Sequence, residues 1–455
     1  MREELEAVIG GALSSHDPMI GPGVRPDGRF WLNPSEAVSD LNADVLHTVA
    51  MVRAQTPLMA AYGTARDESI SPAINRAVTE ICRELSSQLG LALLTGGGSG
   101  IMNVTTHAVR DVHETFAVRS ELLSHEHVAQ NYSGVVNAER FLWTRRFLLT
   151  TLPSVVIAAP GGYGTLNEVF ELSMLRMADI VGSTPIICIE DNRGYWSELK
   201  RFALETIYNS SEEESQKFDQ LWTIYNVEQE SASALAIRIA DELNQRGVSP
   251  DDSKQFTNAK WFEADVIRET AEDLKRGLEL LEGKNAPALV DKTFLSAFGS
   301  VSEHGQHFRE LLAKFDRRDW AVLTDDPWIA DQAYHQKFAS LALVSALDSN
   351  FAQMLPGNLT GNFVAPIRHL ICANRFVQTS APAIHFAYPG GITAIDRLLE
   401  VTLLQQLGII RHTPIVCLED SCAMWSKLHQ FIEKHLLGAG YISSGDDSLW
   451  HITPI

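Results

Sequence analysis

The chain has few cysteines, a deficit of positive charge and no apolar run long enough to cross a bilayer. Each scarcity removes a class of function. The five cysteines (Cys82, Cys188, Cys372, Cys417 and Cys422) show no metal-ligand spacing, and Cys188 and Cys417 sit inside apolar runs as small hydrophobes. The histidines are scattered, so no metal site is expected. Lys+Arg 37 against Asp+Glu 57 gives a net charge of -20, a surface that repels a nucleic-acid strand. A small phosphorylated ligand stays compatible with that charge, because backbone amides bind phosphate without a basic surface. The opening residues, MREELEAVIGGALSSHD, hold no apolar core of signal-peptide length. Neither membrane association nor export is expected, and a reducing cytoplasm is the expected compartment.

What is present is the composition of a globular protein, 45% hydrophobic and 21% charged. At 455 residues the chain exceeds one ordinary core, so two domains are expected. An internal repeat agrees. Residues 160–200 align without a gap on residues 389–429, at an offset of 229, with 15 of 41 positions identical. The shared residues include Pro-Gly-Gly, Thr-Pro-Ile, a cysteine, Glu-Asp and Trp-Ser. At the same offset Arg146-Phe147 falls on Arg375-Phe376, and Leu94-Thr95 on Leu323-Thr324. Such extent at one offset points to a tandem duplication.

Each half follows one rhythm. Short apolar runs (PLMAAYG, LALLTG, SVVIAAPGG, PIICIED) end in glycine- or aspartate-bearing turns and alternate with helical patterns. Unbroken runs of that length suit strands buried on both faces of a parallel sheet. One helix is marked in detail: Ser71 caps it, Pro72 suits its first turn, and Gly90 ends it. Ile74, Val78, Ile81, Leu85 and Leu89 form its apolar face. The expected fold is therefore α/β, two Rossmann-like, doubly wound domains with parallel sheets, spanning residues 1–245 and 246–455. Between them GVSPDDSKQ is the best linker, flanked by two polar helical patterns.

In such folds ligands bind at the carboxyl ends of the strands. Three glycine-bearing turns belong there in the first half: Tyr62-Gly63-Thr64, Thr95-Gly96-Gly97-Gly98-Ser99-Gly100, and Pro160-Gly161-Gly162-Tyr163-Gly164-Thr165. Glycine lets backbone approach a phosphate, and the helix that follows aims its free amides at the anion. Glu168 and Glu171 lie three apart on one helix face. Carboxylates there suit ribose hydroxyls, or a developing oxocarbenium ion and its attacking water. Equally, Thr165 and Glu168 could close a capping box that serves only the backbone. Arg145 and Arg146 are either solvated surface or a phosphate grip.

The second half serves as a control. Gly164, Thr165 and Glu168 become Thr393, Ala394 and Arg397; the glycines after Thr95 become Asp325-Asp326; Arg145 becomes Asn374. A lost capping box explains only part of this, whereas loss of one shared ligand explains all of it. The framework (Pro389-Gly390-Gly391, Glu400, PIVCLED) stays. The second half is thus expected to be retained for shape.

The stretch PGGYGTLNEVFE with TGGGSGIM upstream resembles the LONELY GUY (LOG) family of nucleoside 5′-monophosphate phosphoribohydrolases, often labelled lysine decarboxylases. The hallmark Pro-Gly-Gly-x-Gly-Thr-x-x-Glu is matched in full by Pro160 to Glu168, and Arg145-Arg146 stands where the family has an Arg-Lys pair. Trp143 replaces the histidine of that motif and Arg146 its lysine. Clear resemblance covers roughly residues 55–210. It implies cleavage of the N-glycosidic bond of a nucleoside monophosphate without a cofactor. Gly96, Gly97, Gly98 and Ser99, with Met102, and Gly161, Gly162, Gly164 and Thr165 would cradle the substrate. Glu168 would stabilise charge at the anomeric carbon, Glu171 would assist, Arg145 would orient the substrate or protonate the leaving base through a water, and Arg146 would bind substrate. Family members are typically homodimers, so the resemblance implies an intrachain pseudo-dimer, a homo-oligomer, or both. A nucleotide- or cofactor-binding protein without turnover is the alternative, since the scaffold is shared with molybdenum-cofactor carriers and nucleotide sensors. Decarboxylation fits less well, because the glycine turns have no lysine near them for pyridoxal phosphate.

Overall fold

A computed structural model describes residues 57–120, 132–139, 142–209, 211–248, 264–345, 362–367, 377–410 and 413–455. The chain divides into two compact units. The first lies within Ala43–Phe262 and takes in Leu428–Asp447; the second lies within Glu263–Lys427 and takes in Ser448–Ile455.

The first unit is built on strands β1 (Leu58–Tyr62), β2 (Ala92–Thr95), β3 (Thr115–Ser120), β4 (Gly134–Glu139), β5 (Val155–Ala158), β6 (Ile186–Glu190) and β7 (Trp222–Asn226). They form one parallel sheet in the order β4-β3-β2-β1-β5-β6-β7. The order reverses between β1 and β5, the switch point at which an open α/β sheet leaves a crevice. The helices are α1 (Pro72–Leu89), α2 (Ile101–Val109), α3 (Leu142–Thr151), α4 (Tyr163–Met177), α5 (Tyr195–Thr206), α6 (Glu212–Asp219) and α7 (Ala232–Gln245).

Helix α1 forms as its sequence dictates. Ser71 Oγ accepts from Ile74 N, Pro72 occupies the first turn, and Gly90 closes the helix with φ 60°. Its apolar face and that of α7 (Leu235, Ile239, Leu243) bury one side of the sheet against Met59, Leu93, Ile157 and Ile189. Each such side chain, fully buried, stabilises the unit by about 1.5–3 kcal/mol before entropy is counted.

The second unit carries α8 (Ala264–Leu281), β8 (Thr293–Phe298), α9 (Gly305–Leu312), β9 (Trp320–Thr324), α10 (Pro327–His335), β10 (Ala339–Ser345), β11 (Asn362–Ile367), β12 (Ile384–Ala387), α11 (Ile392–Gln406), β13 (Ile415–Glu419), α12 (Met424–Phe431) and β14 (His451–Pro454). Its parallel sheet, β11-β10-β9-β8-β12-β13-β14, repeats the strand order of the first. Among the described residues no helix is long and apolar enough to cross a membrane.

Several shared motifs are framework. In both units the glutamate ending the sixth strand caps the next helix. Glu190 Oε2 accepts from Trp196 N and Ser197 N, and Glu419 accepts from Ser426 N and Ser426 Oγ, both at 2.6 Å. Gly194 and Ala423, 229 apart, both adopt positive φ in the preceding turn.

Segment 428–447 belongs to the first unit, although its sequence follows the second sheet's sixth strand. The Tyr195 ring packs edge-on against Phe431, His435 and Tyr441. His435 Nε2 meets Glu198 Oε2 at 2.6 Å, and Gly440 O accepts from Arg66 Nη1 and Ser69 Oγ. The linker candidate GVSPDDSKQ lies mostly outside the described residues.

One buried histidine makes the second unit pH-sensitive. His385, 1% exposed on β12, holds Ser296 Oγ at 2.7 Å, and burial pushes its imidazole down to about 3, a backbone hydrogen bond at Thr379 acting the other way. The folded state therefore resists the proton that the unfolded chain takes up below about pH 6.5. This stability is whole above that pH and falls as pH drops toward 3, by up to about 1.4 kcal/mol per pH unit. Urea titrations between pH 6.5 and 4 are expected to show a steeper loss for the wild type than for His385→Gln. Equal slopes would contradict this origin.

Candidate functional site

Three turns meet at the switch point of the first sheet. Thr64 N donates to Pro160 O at 3.1 Å, clasping the turn after β1 to the turn after β5, and Ile101 N donates to Thr64 O at 2.9 Å, adding the turn after β2. There is no room in the clasp for side chains. A Cβ on Gly161 would stand 2.2 Å from Thr165 Oγ1 and 2.8 Å from Thr64 N. One on Gly100, whose φ is +67°, would stand 2.0 Å from Thr64 O. Ser99 Oγ donates to Ala65 O, and Gly100 N donates to Asp67 Oδ1 at 3.0 Å. Helices α2 and α4 start from the second and third turns, so both positive dipole ends face this edge.

The structure brings most of the anticipated residues together. Gly96, Gly97 and Gly98 are buried in the second turn, with Met102 Sδ beside Gly96. Gly161, Gly162, Gly164 and Thr165 form the third turn and the start of α4. Arg145 reaches over from α3: its Nε donates to Val118 O at 3.1 Å and its Nη2 to Gly96 O at 3.3 Å. Any side chain at Gly96 would collide with that guanidinium.

The open question at Glu168 is answered by where α4 begins. Its N-cap is Gly162, with no side-chain capping bond, and Thr165 is already inside the helix. No capping box built on Thr165 forms. Glu168 lies half-buried one helical turn into α4, near Tyr62. Burial, and then the carboxylates of Glu168 and Glu171, push the Tyr62 phenol well above its ordinary value, and its OH donates to Leu149 O at 2.6 Å. A neutral phenol thus lies under the acidic face of α4.

Arg146 and Glu171 are placed otherwise. They are 4% and 1% exposed, and Arg146 Nε pairs with Glu171 Oε2 while its Nη1 donates to Asn167 Oδ1. This pair ties α3 to α4 beneath the site, and its ends are spent on each other. Both residues recur in the second half as Arg375 and Glu400, as framework should; Arg375 and Asn374 lie outside the described residues. Trp143, in the place of the family's histidine, is buried.

Two contributors were not singled out from sequence. Arg119, at the carboxyl end of β3, lays its stem along Gly97. Tyr441 O lies 3.1 Å from where a Gly162 Cβ would stand, and Tyr163 OH donates to Asp446 O at 3.0 Å, so segment 428–447 backs the third turn. The register of β3 on β2 was the available signal for Arg119. Nothing local could have revealed Tyr441.

The second unit keeps the clasp and changes what surrounds it. Ser300 N donates to Pro389 O at 2.8 Å, matching Thr64 and Pro160. Asp326 N donates to Thr324 Oγ1 at 2.9 Å, as Gly97 N does to Thr95 Oγ1 at 3.2 Å. Yet Arg397, in the place of Glu168, forms an ion pair with Asp325, in the place of Gly96. Burial pulls the Arg397 guanidinium down to about 10, and Glu400 works against that. Two of the substitutions are therefore partners, and they bridge the gap between the second turn and α11.

Comparison with known proteins gives related assignments. The family described as "Possible lysine decarboxylase" matches residues 102–233. Over 99 residues the chain is 35% identical to the cytokinin riboside 5′-monophosphate phosphoribohydrolase LOG of Oryza sativa subsp. japonica, covering 21% of this chain and 40% of that protein. The chain thus spans about two fifths of the length of this curated relative. Among solved structures, the molybdenum cofactor carrier protein of Chlamydomonas reinhardtii is 15% identical, with a TM-score of 0.29 over 42% of this chain and 99% of its own. The structural-genomics protein TM1055 is 20% identical, with a TM-score of 0.24 over 29% and 73%.

Removing Asp325 should strip a largely buried guanidinium of its ion-pair partner, leaving the more distant compensation of Glu400. With Asp325 about a third exposed, Asp325→Ala is expected to cost about 1–3 kcal/mol in urea denaturation. A loss below about 0.5 kcal/mol would show that the pair holds nothing in place.

Proposed function

We propose, for a chain whose stretch 102–233 belongs to the LOG-type family, that the first unit hydrolyses the N-glycosidic bond of a nucleoside 5′-monophosphate to the free base and ribose 5-phosphate. One observation carries the reading: Glu168 and Arg145 stand at a clasp of three glycine turns, and the matching place in the second unit is taken by an internal ion pair. A site that had only a packing role would not need such a replacement.

In this reading the glycine turns and the dipole ends of α2 and α4 hold the phosphate. The C1′–N bond breaks with its electron pair passing to the base, which takes a proton. Water adds its oxygen to C1′ and gives up a proton. Positive charge grows at the anomeric carbon as the bond breaks, and the Glu168 carboxylate stabilises it there. Arg145, held by two backbone carbonyls, orients the substrate. The Arg146–Glu171 pair acts by fixing α3 against α4. Decarboxylation through a lysine-bound pyridoxal phosphate is disfavoured. The first lysine in the sequence is Lys200, and its Nζ is engaged by Asp219 and Trp222 O.

Incubation of the full chain with AMP, GMP, CMP and UMP is expected to release base and ribose 5-phosphate from at least one of them. Glu168→Gln is expected to lower kcat by about 10²–10⁴ while leaving Kd for the nucleotide within about threefold. Binding without release from any of the four would instead make the unit a nucleotide-binding module.

A further inference from the structure

Arg119 lies outside the glycine, glutamate and Arg145-Arg146 motifs, yet it borders the second turn. It follows Ala117 by two residues on β3, so both point to the same face of the sheet. A Cβ on Gly97 would stand 3.1 Å from Ala117 Cβ, 2.9 Å from Arg119 Cγ and 3.3 Å from Arg119 Cδ. The stem therefore lies along Gly97. The residue is half-buried, and no hydrogen bond or ion pair joins it to another described residue. Arg145 borders the adjoining Gly96, where two of its N–H groups are held by Val118 O and Gly96 O; among the described residues no further hydrogen bond joins it. The guanidinium of Arg145 and the stem of Arg119 thus flank one glycine turn.

The second unit lacks both of these arginines. Strand register makes the comparison, because Ala117 pairs with Thr95 as Ala342 pairs with Thr324. Two residues further on, the place of Arg119 is taken by Val344. Gly96 and Gly97 become Asp325 and Asp326, and Arg145 becomes Asn374. Two arginines beside two glycines have been exchanged for two aspartates, of which Asp325 pairs with Arg397 and Asp326 caps α10. A turn that held an anion in one unit and none in the other would differ in this way.

We propose that Arg119 is a substrate-binding residue of the first unit, whose guanidinium grips the phosphate and so selects nucleotides over nucleosides. Planar guanidinium suits phosphate oxygens, and its partial withdrawal from water strengthens the bond. The assignment rests on the nucleoside monophosphate reading above, and its test separates the two.

Arg119→Met keeps the stem against Gly97 and removes only the charge; Arg119→Lys keeps a charge without the fork. Both full-length variants are compared with wild type for kcat and KM on the nucleotide that is cleaved, and for affinity toward ribose 5-phosphate and toward ribose. Arg119→Met is expected to raise KM and the ribose 5-phosphate Kd by about 10–100-fold, with kcat within about threefold and ribose affinity unchanged. Arg119→Lys should recover part of the loss. A ribose 5-phosphate Kd within about twofold of wild type would overturn the assignment, as would equal losses for ribose 5-phosphate and ribose. If wild type cleaves no nucleotide but Arg119→Met still loses ribose 5-phosphate selectively, the hydrolase reading falls and Arg119 stands. A wild-type chain that binds no ribose 5-phosphate overturns both.

Discussion

A backbone hydrogen bond from Thr64 N to Pro160 O joins the turns on either side of the switch point, and the site is arranged around it. It forms where the strand order reverses, so the turns after β1 and β5 are neighbours by topology. At that separation Gly161 leaves no space for a Cβ, and Thr165 Oγ1 closes over it. The third turn thereby fixes where α4 begins, and the start of α4 fixes the positions of Glu168 and Glu171. The buried Arg146–Glu171 pair then sets α3, and with it the reach of Arg145 to Gly96. From the other side, segment 428–447 packs its Tyr441 backbone against Gly162.

The two units divide cleanly into what a scaffold must keep and what a ligand would require. Both keep the clasp, the glutamate that caps the helix after the sixth strand, and the positive-φ residue before that helix. Each satisfies backbone groups or geometry that the fold cannot leave unmet. Only the first keeps a half-buried glutamate on α4, glycines in the second turn and arginines beside them. In the second, Arg397 and Asp325 pair with each other. An interior arginine is tolerated there because its carboxylate partner changed with it.

The fold was largely legible because its signals are local. Ser71, Pro72 and Gly90 bound α1 where capping chemistry places them, and the short apolar runs became parallel strands. The glycine turns were legible for the same reason. By resemblance Arg146 was assigned to substrate binding and Glu171 to assisting catalysis, although the repeat already marked both as shared by the two halves; packing pairs them with each other. The capping box at Thr165 failed because the helix starts three residues earlier, with Gly162 as its N-cap. Arg119 and Tyr441 were hidden for a different reason. A strand register places the first, and contacts across more than 240 residues of sequence place the second.

If the first unit binds the nucleotide and the second is closed by its own side chains, each chain takes up one ligand. Calorimetric titration of Glu168→Gln, the variant expected to lose turnover, with the cleaved nucleotide should saturate at one ligand per chain. Saturation at two would show that the Asp325–Arg397 pair does not close the second unit, and no binding at all would show that the first is not a nucleotide site.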